Sequence, residues 1–531
     1  CTRITSNLGA DIRHTYDREG NLQTMQAGES WQASWVRDNT GLEVQRTFSG
    51  GVTIRTERDC FGREVHKSVR SGGMEKGAYR YQWGIANRLL SKENELTGTV
   101  TRYDYDRFDF LIRQETMQGS ETDVIYRTPD FVGNLFETPD KKDRKYGAGG
   151  KLLEDPDCFY HYDDEGNLIF REFKQLLETG VRFDRKRMEK EQGIRCLATG
   201  TGWLYEWSSN GMLKKVIRPD GRPVEFRYDA LGRRTAKLYF GKVTRWVWDG
   251  NVPIHEWSYK VTDRQSNEEE GSLLKEPTED ITTWVFEAGT FVPTAKIQEG
   301  KQYSIVSDYL GTPIQMYDEQ GNKTWDCTLN ICGIVTTFDG CSLNDCPFKF
   351  QGQYADEETG LYYNRFRYYD SLMNCYISQD PIRLAGSNPT FYGYVENTNK
   401  WIDIWGLTVV EGQVGTYGAL SKASDRLDGL QIHHIPQDKL GHLPRNEGIA
   451  IVMTDADHAK TRTFKTKGRV TAAIDQNRAF KDVLKDDLID LHKIGGGKFD
   501  NSIQQIISEY ENIGKLKKGE LSLDIVKNSC H

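Results

Sequence analysis

At 531 residues the chain is too long for a single hydrophobic core, and at roughly 150 residues a domain it predicts about three folded units. Aromatic residues make up 11% of it, and 51 glycines against 14 prolines are typical of a turn-rich β protein rather than a helical one. No run of about 18 apolar residues occurs, which excludes a membrane-spanning helix. The charge divides unevenly, with 52 basic and 61 acidic residues up to Leu407 but 18 and 17 beyond it, so we expect two regions with different roles.

A short pattern recurs through the first part of the chain: an aromatic residue, Asp, two variable residues, Gly and a polar residue. Its copies are Tyr16-Asp17…Gly20-Asn21, Tyr162-Asp163…Gly166-Asn167, Tyr228-Asp229…Gly232-Arg233 and Tyr317-Asp318…Gly321-Asn322, with degenerate copies at Asp59…Gly62-Arg63 and Trp207…Gly211. The aromatic residue suits a half-buried strand, while Asp and the Gly-polar pair allow a tight turn with positive φ. Such hairpins cannot bury a face alone, so the copies are expected to stack and residues up to about 407 to be mainly strand.

The ten cysteines are scattered, which favours reduced thiols over a disulfide scaffold. One group is Cys327, Cys332, Cys341 and Cys346. Four residues separate the members of each pair, whereas a zinc knuckle usually has two. Small buried residues in strands are the favoured interpretation, with a zinc site as the alternative.

Further motifs follow the repeats in a fixed order. They are Asp308-Tyr309-Leu310-Gly311-Thr312-Pro313, Gly360-Leu361-Tyr362-Tyr363-Asn364-Arg365, Asp380-Pro381-Ile382-Arg383 and Trp401-Ile402-Asp403-Ile404-Trp405-Gly406-Leu407. Together with the repeats, this order resembles the Rhs-associated core of Rhs and YD-repeat polymorphic toxins over roughly residues 1–407. The resemblance implies a β-hairpin shell over residues 1–300 that encloses a toxin, and a core domain over residues 301–407 that closes the shell.

In that family an aspartyl-type self-cleavage releases the toxin after an Asp-Pro-x-Gly-Leu motif, which places the cut here after Leu407. The resemblance makes Asp380 and Asp403 the catalytic residues, since two nearby carboxyls can share one proton, so that one activates water while the other polarises the scissile carbonyl. The chain departs from the motif, because the segment from Asp403 to Leu407 lacks Pro and Arg383 stands where Gly is usual. Structural turn roles for both Asp residues therefore stay open.

Beyond Leu407 the repeat pattern stops, and residues 408–531 predict a small α+β domain. Gly412, Gly415 and Gly418 are spaced like a linker. Residues 430–435 predict a short strand that ends at Pro436, residues 449–453 a second strand, and Thr454 or Asp455 the cap of a helix that carries His458. Two helices are expected over residues 470–512, with Gly495-Gly496-Gly497 as the hinge between them. Their predicted apolar faces contain Ile474, Phe480, Leu484, Leu488 and Leu491, then Ile503, Ile506, Ile507 and Tyr510.

Two strands and a helix, with His433-His434 on the first strand and His458 on the helix, are the layout of a ββα-metal nuclease site. One neutral imidazole can ligate a divalent metal that stabilises phosphate oxygens, and another can activate water as general base. The segment is similar to toxin domains of the HNH/endonuclease VII superfamily. The resemblance makes His434 the base, His433 and His458 ligands of Mg, Mn, Ni or Zn, and Asn446 the residue that holds the loop. Capping or packing roles for the three histidines are the alternative.

Five cations follow His458 within ten residues: Lys460, Arg462, Lys465, Lys467 and Arg469. They predict contacts to nucleic-acid phosphates, with DNA favoured over RNA, and a solvated loop is the alternative. The sequence has no His-Glu-x-x-His of a zinc protease and no Pro-Cys-x-x-Cys of a deaminase. A non-enzymatic surface or adhesion protein with an inert tail is the second hypothesis.

The toxin hypothesis implies partners and a location as well. The chain begins at Cys1, shortly before the first repeat, so we expect a fragment of a longer protein whose upstream part meets a secretion apparatus. The expected partners are nucleic acid of a competing cell and a cognate immunity protein. The protein is expected in the cytoplasm before export and then in the target cell.

Overall fold

The computed structural model describes residues 2–176, 182–263, 265–266, 274–381, 390–404, 406, 414–418, 420, 430–495 and 498–528. It divides the chain into two compact units. The first contains residues 1–379 and 390–406, and the second contains residues 380–389 and 407–531. The first unit is mainly β, as the repeats predict, and the second combines strands with helices.

The first unit begins with a 12-stranded antiparallel sheet in which each strand pairs with the next along the chain. Its strands are β1 Arg3–Thr5, β2 Asp11–Tyr16, β3 Leu22–Ala27, β4 Trp31–Arg37, β5 Glu43–Phe48, β6 Thr53–Arg58, β7 Glu64–Ser71, β8 Met74–Trp83, β9 Leu89–Asn94, β10 Thr99–Tyr105, β11 Leu111–Gln118 and β12 Glu121–Tyr126. A small hairpin of β13 Thr128–Pro129 and β14 Leu135–Phe136 follows. The sequential pairing confirms the predicted stacking of hairpins.

A 16-stranded antiparallel sheet follows, built in the same way. Its strands are β15 Lys145–Tyr146, β16 Leu152–Glu154, β17 Cys158–Tyr162, β18 Leu168–Phe173, β19 Gly202–Trp207, β20 Leu213–Ile217, β21 Pro223–Tyr228, β22 Arg234–Tyr239, β23 Lys242–Asp249, β24 Val252–Lys260, β27 Thr282–Phe286, β28 Pro293–Gln298, β29 Lys301–Ser307, β30 Pro313–Tyr317, β31 Lys323–Leu329 and β32 Val335–Gly340. Two insertions interrupt it: helix α1 Arg185–Gln192, and a hairpin of β25 Gln265–Ser266 and β26 Leu274–Lys275.

One hydrogen-bond pattern closes the repeat turns. In the first repeat, Oδ1 of Asp17 accepts from the backbone N–H groups of Glu19 and Asn21, both at 2.9 Å. Oδ2 of Asp17 accepts from the Asn21 amide at 3.0 Å, and Gly20 takes the positive φ of 88° that the turn requires. The Asp side chain therefore adds to the backbone hydrogen bonds between Asp17 and Gly20 and between Asp17 and Asn21, which explains why the residue recurs at this position.

The two large sheets of the first unit share a hydrophobic core. Met25, Trp31 and Val69 of the first sheet pack in one buried cluster with Val306 and Tyr317 of the second. The indole N–H of Trp31 also donates to the Ser304 hydroxyl at 3.0 Å. Because each hairpin is half-buried, the two sheets cover each other's apolar faces.

The segment from residue 348 to residue 404 packs on the turns of the second sheet. It contains a four-stranded sheet of β33 Tyr354–Ala355, β34 Leu361–Asn364, β35 Arg367–Asp370 and β36 Cys375–Tyr376. Its tyrosine hydroxyls donate to turn carbonyls, as Tyr392 does to Gly166 at 2.6 Å and Tyr362 to Gly333 at 2.8 Å. The Tyr-rich motifs therefore serve to hold this segment against several repeat turns of the second sheet.

The four cysteines of the predicted group do not all lie together. Cys327, Cys332 and Cys346 are buried, as the sequence indicated, whereas Cys341 is exposed. Cys327 and Cys346 pack in one apolar cluster beside Trp325 and Phe348. Burial raises the pKa of the Cys346 thiol to about 12, a protonation state suited to packing.

The second unit has a three-stranded antiparallel sheet in the order β37 Val414–Thr416, β39 Ile449–Thr454, β38 Leu430–His434. The helices that follow are α2 Asp455–His458, α3 Thr466–Asp475, α4 Phe480–Gly495, α5 Asp500–Asn512 and α6 Leu523–Asn528. The two predicted strands and the helix start are thus confirmed, and the Thr454 side chain accepts from the Asp457 N–H as the predicted cap.

The apolar face predicted for the C-terminal helices is confirmed in part. Leu484, Leu488, Leu491, Ile503, Ile506, Ile507 and Tyr510 are buried in one core with Ile451 and Met453 of the sheet. The prediction of two helices over residues 470–512 was wrong, because three occur there. Ile474 ends up on the separate helix α3 and is 64% exposed. Gly496 and Gly497 of the predicted hinge, and Gly412 of the predicted linker, lie outside the described residues.

Across the part of the chain that the structure describes, no helix is both long and apolar enough to cross a membrane.

Candidate functional site

The three predicted histidines lie at the start of the second unit. His433 and His434 end β38, where they pair in register with Ile451 and Ala450 of β39. His458 ends α2, which directly follows β39. Neighbouring residues of a strand point to opposite faces, so His433 and His434 enter different surroundings.

The structure brings His433 and His458 together. Their ring centroids lie 5.0 Å apart at an interplanar angle of 63°. Burial, reinforced by the nearby imidazoles of His458 and His434, lowers the pKa of His433 to about 3. Burial also lowers the pKa of His458. Both rings are therefore neutral at neutral pH, which is the form that ligates a metal.

The side chains that frame this pair come from the loop after α2. The Thr463 hydroxyl lies 3.3 Å from Nε2 of His433, and the Phe464 ring meets His458 edge-on at 5.2 Å. Thr461 donates its hydroxyl proton to the carbonyl of His458 at 2.8 Å. None of these loop residues was predicted, since nothing in their spacing marks them as neighbours of the histidines.

His434 occupies a slot on the other face of the strand. Its ring stacks on Tyr417 with centroids 4.1 Å apart, and Gly448 leaves room for it, since a Cβ there would meet the ring carbon at 2.9 Å. Nε2 lies 2.9 Å from the carbonyl oxygen of Arg445. A carbonyl only accepts, so Nε2 carries the proton and Nδ1 is the basic nitrogen.

The side chain of Asn446 does not hold the loop, which was its predicted role. Its backbone carbonyl accepts from the Gly418 N–H at 2.9 Å. Its side chain is exposed and makes no hydrogen bond to any described residue. The loop is instead held through the main chain, and Arg445 stacks over Tyr417 at 5.2 Å.

The five predicted phosphate contacts separate into two groups. Lys460 pairs with Asp457 at 2.7 Å, and Arg462 is enclosed by Asp475 and Asp487. The other three cations, Lys465, Lys467 and Arg469, are exposed and form no ion pair with a described residue. The structure thus differs from the prediction at Arg462, whose guanidinium is already occupied by carboxylates.

A second lysine that contacts α2 lies in the segment directly after α4. Lys498 donates to Oδ2 of Asp457, while Lys460 takes Oδ1. Although burial opposes the shift, hydrogen bonds from these two lysines lower the pKa of Asp457. Asp457 therefore anchors two cations beside the histidine pair.

The site offers a limited ligand set for a divalent metal. Within the described ranges no group of three or more His, Cys, Asp or Glu side chains is close enough to hold a metal ion. His433 and His458 supply two neutral imidazoles, which suit Ni or Zn better than Mg or Mn, and water or substrate oxygen would have to complete the shell. The residues present therefore fit an open site rather than a closed one.

The two carboxylates predicted for self-cleavage belong to different units. Asp380 is buried and lies in the second unit. Asp403 is buried in the first unit, where its Oδ2 accepts from the Tyr376 hydroxyl at 2.7 Å and from Arg367 at 3.2 Å. Arg367 also donates to the carbonyl of Gly406. Trp405, Leu407 and Arg383 lie outside the described residues.

A family model described as Teneurin YD-shell matches residues 2–392. The chain therefore belongs to the Teneurin YD-shell family. His433, His434 and His458 lie beyond the matched residues.

Curated relatives carry toxin names. The chain is 28% identical over 407 residues to probable deoxyribonuclease RhsA of Dickeya dadantii (strain 3937), which covers 74% of this chain and 25% of that protein. It is 29% identical over 415 residues to double-stranded DNA deaminase toxin A of Burkholderia cenocepacia (strain H111), covering 73% and 27%. It is also similar to the crystal structure of TcdB2-TccC3-TEV, with a TM-score of 0.38, 17% identity and coverage of 77% and 24%. The chain spans about a quarter of the length of these proteins.

Proposed function

We propose that the chain is part of an Rhs polymorphic toxin whose second unit is a metal-dependent, HNH-type nuclease. The observation that carries the proposal is the contact of two neutral imidazoles, His433 and His458. The next residue along β38, His434, has a fixed tautomer and lies on the opposite face of the strand. The names of the relatives support a toxin that acts on nucleic acid. The YD-repeat unit would enclose and deliver the nuclease.

In the proposed mechanism each residue has a separate task. Nδ1 of His434 takes the proton of the attacking water, because Nε2 is held by the Arg445 carbonyl. His433 and His458 would hold the metal, which supplies positive charge to phosphate oxygens when it is bound. Lys465, Lys467 and Arg469 contact neighbouring phosphates of DNA, which is favoured over RNA by the names of the relatives.

The test uses the full chain with plasmid DNA or RNA and Mg²⁺, Mn²⁺, Ni²⁺ or Zn²⁺. His434→Ala should lower cleavage about 10²–10⁴-fold, because a positioned base contributes about that much. His458→Ala should weaken metal affinity by more than the roughly 10–100-fold typical of groups that only orient metal ligands, and excess metal should restore part of the activity. His492→Ala is the matched control, since that ring contacts Asp500 at 2.7 Å and not the site.

Expression inside a cell gives a second measurement. The wild-type chain should stop growth, and the His434→Ala chain should not. Full toxicity of His434→Ala, or no cleavage of any nucleic acid with all four metals, would overturn the nuclease proposal and favour a non-enzymatic YD-repeat surface protein.

We also propose that the chain cuts itself after Leu407 with Asp380 and Asp403 as the carboxylates. What supports this is the burial of both side chains and the hydrogen bonds that fix Asp403. A cognate immunity protein, a secretion apparatus and delivery into a target cell belong to the same proposal.

A further inference from the structure

Arg462 is held at its side chain and at its backbone. Its guanidinium donates to Asp475 at 2.8 Å and to Asp487 at 2.5 Å. Its backbone N–H donates to Asp490 at 2.7 Å, and its carbonyl accepts from the Thr471 hydroxyl at 2.8 Å. These contacts tie one loop residue to both α3 and α4.

The two carboxylates that the Arg462 guanidinium contacts are buried. The Asp475 side chain is 0% exposed and that of Asp487 is 3% exposed. Arg478 donates to the other oxygen of Asp475 at 2.8 Å, whereas the second oxygen of Asp487 has no hydrogen-bond partner among the described residues. Buried carboxylates need a cation to offset their desolvation, and Arg462 is the residue that reaches both of them.

The residues on either side of Arg462 frame the histidine pair. Thr461 contacts the backbone of His458, and Thr463 reaches the ring of His433. Any shift of residue 462 therefore moves groups that touch both histidines. The loop has no regular secondary structure of its own to resist such a shift.

We propose that Arg462 is a positioning residue, which locks the loop between α2 and α3 so that His458 faces His433, and that it does not contact substrate. This inference rests on the proposed nuclease function. It separates Arg462 from Lys465, Lys467 and Arg469, which are exposed and form no ion pair with the described residues.

Turnover and salt dependence distinguish the two roles. Binding of a duplex DNA is measured without metal over about 50 to 200 mM salt, and kcat and KM are measured with metal on the full chain. Loss of one phosphate contact reduces the logarithmic salt slope by about 0.9. Loss of a positioning residue leaves the slope unchanged and lowers kcat about 10–100-fold, as for groups that orient metal ligands.

Arg462→Ala should therefore lower kcat about 10–100-fold with an unchanged salt slope and KM. The comparison variant Lys467→Ala, which removes a proposed phosphate contact, should reduce the slope by about 0.9. Arg462→Lys should recover part of kcat, because an ammonium ion keeps the charge but lacks the planar guanidinium fork that donates to Asp475 and Asp487 from separate nitrogens. A reduced slope in Arg462→Ala with normal kcat would overturn the proposal.

A second pair of variants guards against simple unfolding. Asp487→Asn keeps the shape of the side chain and weakens the hold on Arg462, so kcat should fall about tenfold or more. Asp486→Asn is the control, since Asp486 is 40% exposed and pairs only with Arg478 among the described residues. Equal kcat in these two variants would contradict the proposal.

Hydrogen exchange of residues 459–465 decides the matter without activity. Exchange should speed up in Arg462→Ala and Asp487→Asn, but not in Lys467→Ala or Asp486→Asn. If the wild-type chain cuts nothing, the nuclease proposal fails, and the exchange result still shows whether Arg462 locks the loop. Unchanged exchange in Arg462→Ala would overturn the positioning role.

Discussion

His434 illustrates how one hydrogen bond sets the chemistry of a side chain. The Arg445 carbonyl fixes the proton on Nε2, and stacking on Tyr417 fixes the plane of the ring. A ring that cannot rotate keeps Nδ1 in one direction. That is the condition a general base has to meet before its basicity matters.

The residues of the site could be predicted from the sequence only where they are close along it. His433, His434 and the cap at Thr454 follow from the alternation of a strand and the start of a helix. Arg462 could not be interpreted in that way, because its partners lie 13, 25 and 28 positions away. A run of cations in the sequence indicates local positive charge, but it does not reveal which of these side chains pairs with buried carboxylates.

Asp487 gives a prediction about pH. Burial raises its pKa to about 7, although Arg462 opposes the shift. The charged and titratable groups that face it are Arg462, Asp475 from α3, Asp490 from its own helix and Tyr510 from α5. Its pKa in the unfolded chain is about 3.9. The stability that Asp487 contributes is therefore complete below pH about 4 and is lost as pH rises through about 7.

The Asn side chain of Asp487→Asn cannot ionise. The free energy of unfolding of the variant should therefore increase relative to that of the wild type as pH rises from 5 to 8. The gain is at most about 4 kcal/mol, at about 1.4 kcal/mol for each unit of pKa. Hydrogen exchange of α4 and α5 amides, compared at the same pH, measures it. A difference between the two proteins that is the same at pH 5 and 8 would contradict the assigned pKa.

At the scale of the element, the repeat turn depends on Asp and Gly more than on the aromatic residue. Turns at Asp38, Asp130, Asp308 and Asn330 use the same side-chain hydrogen bond as five of the six predicted copies, those that contain Asp. They were not predicted, and none of them is preceded by an aromatic residue. The aromatic residue contributes to packing, whereas the turn needs only the acceptor and the positive φ.

The turn geometry makes Asp229→Ala destabilising. Oδ1 of Asp229 accepts from the N–H groups of Leu231 and Arg233, and Oδ2 accepts from the Arg233 side chain at 2.7 Å. Loss of these bonds should lower the free energy of unfolding by about 1–3 kcal/mol. Glu165→Ala, at the exposed tip of another turn, should change it by less than about 0.5 kcal/mol.

Tryptophan fluorescence in urea measures this change, because all 12 tryptophans precede Leu407. The signal therefore reports on the repeat region and not on residues 408–531. Equal urea midpoints for Asp229→Ala and Glu165→Ala would mean that the turn hydrogen bonds add nothing to stability.

At the scale of the whole molecule, the chain divides into two units, and the second contains residues 380–389 as well as residues 407–531. The first unit could be predicted well, because local hairpins that pair in chain order need no long-range information. The number of helices after residue 470 could not, since α3 presents Val470 and Ile474 to solvent and breaks the apolar period. The helical spacing of apolar residues can reveal a helix only where one face of that helix is buried.

Self-cleavage is the prediction that tests the whole chain. Intact-mass measurement of the expressed protein should show two fragments that correspond to residues 1–407 and 408–531. Asp380→Asn should leave one full-length chain, because the proposed mechanism needs a carboxyl that can gain and lose a proton, which a neutral amide cannot do. Asp339→Asn, an exposed residue of β32, is the control and should be cut like wild type.

The Asp403→Asn variant needs a stability measurement as well, because Asp403 and Arg367 form an ion pair in which each side chain is 1% exposed. Breaking it should cost about 3–5 kcal/mol, because Arg367 is left buried with less compensation. Loss of cleavage in that variant therefore counts only if its urea midpoint still indicates a folded first unit. A single uncut species in the wild type would mean that Ile404, in place of the motif's Pro, has disabled the site, and that Asp403 serves to hold Arg367.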